Sequence, residues 1–71
     1  MRTSDGIELS GNTPAELVRE LRLAAPCPQP SDLAFMRLAA ARAQLDVGKR
    51  IRCDTAENFI ADLLLVGLLE E

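Results

Sequence analysis

The chain contains no tryptophan, no tyrosine and no histidine. Without histidine it lacks the commonest general base and the commonest metal ligand. Without indole or phenol rings it lacks the side chains on which nucleic-acid bases usually stack. Aromatic residues reach only 3%, all of it from two phenylalanines, so a core has to be built from Leu, Ile, Val and Ala around them. Cysteine is equally scarce. Cys27 and Cys53 form no C-x-x-C pair and have no histidine to join them, which argues against a zinc site. With no signal-peptide pattern in view, two free thiols in a cytoplasmic protein are expected. No cofactor is expected. The longest apolar stretch, Leu63 to Leu69, is too short to span a bilayer, so membrane is excluded from the expected partners.

Seventy-one residues, 48% of them apolar, suit one domain over 1–71, near the lower limit for a chain that folds alone. A core of this size supplies only a few kcal/mol of net stability. The net charge of −3 argues against a dedicated nucleic-acid binder, but the charge is uneven. Arg37, Arg42, Lys49, Arg50 and Arg52 face only Asp46 between positions 37 and 52, whereas the stretch from Cys53 onward carries five acids and no base.

Residues 1–6 are polar and expected to fray. Ile7-Glu8-Leu9 alternates as a half-buried strand does, and Ser10-Gly11-Asn12 reads as a turn. Thr13-Pro14-Ala15-Glu16 is a helix start: a capping threonine, a proline suited to the first helical position, and a glutamate that can reach back to the cap. That helix should run to about Ala24 with Leu17, Val18 and Leu21 inward. The prolines at 26, 28 and 30 stiffen a link over 25–31. A second helix begins at Ser31 or Asp32 and runs to about Asp46. It is rich in alanine, and its apolar stripe is too broad to define one face. Gly48 is its expected stop. Lys49-Arg50-Ile51-Arg52-Cys53 alternates again, Asp54-Thr55-Ala56-Glu57 reads as a second capping box, and a third helix carries Phe59, Ile60, Leu63 and Leu64 inward. Gly67 ends it and leaves a short tail.

The expected fold is therefore α+β, a small β-α-α-β-α domain with two short strands packed with three helices. The two halves echo each other. Counted from Thr13 and Thr55, Leu17 matches Phe59, Val18 matches Ile60, Glu20 matches Asp62 and Leu21 matches Leu63, with the turn two residues shorter in the second copy. If Ile7–Leu9 pairs with Ile51–Cys53, both strands are edges. A homodimer is then expected, through strand addition or through the leucine-rich last helix, where Leu65, Leu68 and Leu69 exceed what one face requires.

Chemical signals are thin. Arg37, Arg42, Lys49, Arg50 and Arg52 could form a basic contact patch for phosphate or an acidic protein; the plainer expectation pairs Arg50 or Arg52 with Glu8 across the sheet. Helix two, a turn and a basic strand also suggest a winged-helix arrangement, weakened by the negative total charge. Asp54 and Glu57 have the spacing of an acid–base pair, yet capping accounts for both. Cys53 lies near a helix start, where a thiolate is favoured, but its inward parity suits a small core residue. Ser10-Gly11-Asn12 before a helix could bind an anion, although it lacks the glycines and lysine of nucleotide loops.

The segments Gly11-Asn12-Thr13-Pro14-Ala15-Glu16-Leu17-Val18 and Thr55-Ala56-Glu57-Asn58-Phe59-Ile60-Ala61-Asp62-Leu63 resemble short uncharacterised proteins of bacterial prophages from high-GC hosts. The resemblance implies a bacterial or phage source and an accessory role, and carries over no catalytic or binding residue. The expected function is a non-enzymatic interaction protein that acts by contact with an unidentified protein. The alternative is a nucleic-acid-associated regulator using the basic 37–52 segment.

Overall fold

The computed structural model describes residues 1–4, 6–25 and 29–70; Cys27 and its neighbours at 26 and 28 in the proline-rich link lie outside them. Its elements are β1 (Arg2–Thr3), α1 (Pro14–Ala24), α2 (Asp32–Val47), α3 (Ala56–Leu65) and β2 (Leu69–Glu70). The α+β class, with three helices and two short strands, is as expected; the strands pair antiparallel. The order is β-α-α-α-β, because the strands are not the two segments that alternate most clearly.

Each helix starts on a hydroxyl cap. Thr13 Oγ1 accepts the Glu16 amide at 3.2 Å, and the Glu16 carboxylate accepts the Thr13 and Asn12 amides at 3.1 and 2.7 Å, completing a capping box. Ser31 accepts the Ala34 amide at 3.1 Å and starts α2, which stops at Gly48. The cap of α3 lies one residue later than the expected box: Thr55 accepts the amide of Asn58, not of Glu57. The Asn58 side chain reaches back to the Asp54 carboxylate at 3.1 Å, so an amide–carboxylate pair replaces the glutamate.

Ile7–Leu9 does not meet Ile51–Cys53. It folds back on the first residues: the Thr3 amide donates to the Ile7 carbonyl and the Leu9 amide to the Met1 carbonyl, with a bridge between Arg2 and Glu8. The segment expected to fray thus carries β1, which pairs on its other side with β2 (Arg2 opposite Glu70, Thr3 opposite Leu69). Ile51–Cys53 forms no ladder and belongs to no strand. Its alternation reflects burial alone, with Ile51 in the core and Arg52 outside. The residues after α3 are no loose tail. Gly67, at φ +84°, reverses the chain, and the Leu68 and Gly67 amides close on the Leu63 and Leu64 carbonyls. That Schellman turn delivers Leu69, 2% exposed, into the core as part of β2.

The core comprises Leu9, Leu17, Val18, Met36, Ala43, Ile51, Phe59, Ile60, Leu63 and Leu69. Phe59 is fully buried and meets Phe35 edge-on, 6.2 Å between centroids, the preferred aromatic geometry. Helix α3 packs mainly on α1, while α2 leans on them with only Met36 and Ala43 fully inside. An ion pair from Arg22 to Asp32 at 2.6 Å, supported by Arg22 to the Gln29 carbonyl at 3.2 Å, clips the start of α2 to α1.

The echo between the halves is tighter in three dimensions than in the sequence. Four residues before each threonine cap stands a buried aliphatic, Leu9 and Ile51. Seven residues after each cap an acid accepts the amide of the residue three before the cap: Glu20 from Ser10 at 3.0 Å, Asp62 from Arg52 at 2.8 Å. The halves therefore align without the two-residue gap.

Candidate interaction surface

The basic segment does not assemble as one patch. Arg37, Arg50 and Arg52 line a shallow cleft of about 510 Å³ with Leu33, Ile51 and Asp54. Arg42 belongs to a different cleft, and Lys49 is exposed and lines neither. Arg52 is engaged within its own chain. Its Nε and Nη2 donate to the two oxygens of Asp62 at 3.0 and 2.9 Å, while its amide donates to the same carboxylate. The expected pairing of Arg50 or Arg52 with Glu8 is thus replaced, because no strand brings the segment beside Glu8. The guanidinium fork and the amide hold the Asp62 carboxyl down to about 2. Among the described residues no ion pair or hydrogen bond engages the side chain of Arg37 or Arg50.

The other polar candidates serve local structure. The hydrogen bond from the Asn58 side chain lowers the pKa of Asp54, which keeps it ionised beside the α3 cap. In the Ser10-Gly11-Asn12 turn, the amides that could hold an anion already donate to the chain's own carboxylates: Ser10 to Glu20, Asn12 to Glu16. The Ser10 amide lowers the pKa of Glu20. Cys53 is half-buried and lines the same cleft as Arg37 and Arg50.

The three leucines singled out in the sequence part company. Leu65 is 84% exposed and stands alone on α3. Leu69 is buried through its place in β2, so it offers no surface. Leu68, half-buried, lines a second and more apolar cleft of about 340 Å³ between α2 and the sheet. Phe59, Leu63 and Leu69 form its floor, and Ile7, Leu38 and Val47, each at least 39% exposed, stand at its mouth with Arg42 and Asp46. Sequence reasoning missed this cleft. Its one signal was the undefined stripe of α2, since a helix apolar on several sides cannot bury them all against one small core. The Asp62 clamp was also missed; its signal was an acid in phase with Phe59 and Leu63.

No helix of the described residues is long and apolar enough to cross a membrane. Comparison with known proteins gives no match: no family model, no curated protein and no solved structure is significantly similar to this chain.

Proposed function

We propose that this chain is a small non-enzymatic interaction protein that holds an apolar segment of another protein in the cleft between α2 and the sheet. The observation that carries the reading is the cleft itself. Three large aliphatic side chains, Ile7, Leu38 and Val47, stay in water around an apolar floor, and grouped exposure of that kind marks contact sites. An oppositely charged pair, Arg42 and Asp46, stands at the edge to orient what enters. The resemblance to prophage proteins fits an accessory role of this type.

A photo-crosslinking residue placed at Val47, and separately at Leu23, tests it in cells. A discrete adduct from Val47 and none from Leu23 is expected. Equal labelling from both positions, or none from Val47, refutes it. The nucleic-acid reading rests on the unengaged Arg37 and Arg50 of the other cleft. It requires a gel shift that weakens steeply with salt and disappears in an Arg37→Ala, Arg50→Ala variant.

A further inference from the structure

The core-facing side of α2 is marked by Met36 and Ala43, its two buried residues, seven positions apart. At 3.6 residues per turn, the opposite side of the helix carries Ala34, Leu38, Ala41 and Leu45. Leu45 is 84% exposed, Leu38 is 39% exposed, Ala41 is exposed and Ala34 half-buried. Their 4-3-4 spacing is that of the seam in a two-helix coiled coil. Leu23 on α1 and Leu65 on α3 are comparably exposed, but neither belongs to such a row.

We infer that two copies of this chain pair antiparallel through this outer face of α2. The seam alternates small, large, small, large, and that order is self-complementary about a two-fold axis passing between Ala39 and Ala40. Leu38 then faces Ala41 of the second copy, and Leu45 faces its Ala34. Each large side chain meets a small one, and the contact is isologous. Charge selects the same direction. Arg37 and Gln44 flank the seam on one side, Phe35 and Arg42 on the other. In an antiparallel pair Arg37 lies beside Gln44 of the second copy, and Arg42 lies level with its Phe35 position, so no like charges are set opposite each other. In a parallel pair the flanking positions would set Arg37 against Arg42 of the second copy twice, a like-charge contact, and leucine–leucine layers would alternate with alanine–alanine layers too small to fill the same spacing. The contact is one helix wide, so the dimer belongs to the weak class. The inference goes beyond the proposed function: of the seam residues only Leu38 lines the cleft, and Phe35 and Arg42 beside the seam line it too, so the test avoids all three.

Sedimentation equilibrium on the full chain under reducing conditions, at concentrations rising to millimolar, tests it. The wild-type mass should approach twice 7.7 kDa. Leu45→Lys should halve it to a single chain with an unchanged helical spectrum, since that side chain touches no core residue. Leu65→Lys, equally exposed, should leave the dimer intact. Adding Ala34→Glu to Leu45→Lys should restore the dimer. The two positions lie about 16 Å apart along one helix, too far to pair within a chain, but they face each other across the antiparallel contact. The acid near the start of α2 and the base near its end also suit the helix dipole. A wild type of single-chain mass at millimolar concentration, a Leu45→Lys chain that still dimerises, or a double variant that stays monomeric while folded would each overturn the inference.

Discussion

Asp62 stands seven residues after the Thr55 cap and takes three hydrogen bonds from Arg52. Its carboxyl is depressed from 3.8 to about 2, so the native state binds the proton less readily than the unfolded chain. The stabilisation is full above about pH 4 and is lost as pH falls toward 2. Asp62→Asn should therefore unfold at lower urea than the wild type at pH 7, and the gap should narrow toward pH 3. A gap unchanged over that range would show that the charge is not what matters. Gly11 is constrained by space. A methyl group there would stand 2.9 Å from Glu16 Cβ and 3.0 Å from the Leu17 amide nitrogen, atoms fixed by the capping box. Gly11→Ala should cost about 1–3 kcal/mol, read as a lower melting temperature; an unchanged value would mean the turn yields freely.

At the scale of elements, the helices were legible and the strands were not. Thr13, Ser31 and Thr55 announce helix starts because a hydroxyl satisfies an amide within three residues, a purely local matter. The pattern Asp54-Thr55-Ala56-Glu57 points one residue too early, because Asp54 and Thr55 can both cap and only the packing of Phe59 and Ile60 chooses between them. Strand partners depend on distant backbone. Ile7–Leu9 and Ile51–Cys53 alternate alike, yet only the first finds a ladder, and it finds it in residues that looked too polar to order. The turn that makes β2 rests on Gly67 at φ +84°, a region costing other L-residues about 1–2 kcal/mol. Gly67→Ala should lower stability by that amount, measured by urea unfolding. A neutral result would mean the Schellman turn tolerates a side chain.

For the whole molecule, the core is small enough that one residue decides whether it exists. Phe59 is fully buried and touches α2 through Phe35. Phe59→Ala should cost about 3–5 kcal/mol, comparable with the few kcal/mol such a chain commands. The expected readout is loss of a cooperative thermal transition by circular dichroism; a melt shifted by only a few degrees would show stability from another source. The candidate surfaces also belong to this scale. The basic residues that form one set in the sequence are dispersed, with Arg37, Arg50 and Arg52 in one cleft, Arg42 in another and Lys49 in neither, because α2 turns Arg37 and Arg42 to different sides and Arg52 pairs with Asp62. Of the three candidate leucines only Leu65 remains fully in water.

The sequence by itself determined what short-range physics governs: three capped helices, their inward residues, the stop at Gly48, and the repeated spacing of cap, aliphatic pair and acid. Only the tertiary structure decided the strand pairing, the ungapped match between the halves, the partner of Arg52 and the sides of α2. Each of those depends on contacts between residues far apart in the chain, whose energies no local pattern contains. An alanine-rich helix with apolar residues on opposite sides has no face of its own until the rest of the molecule takes one.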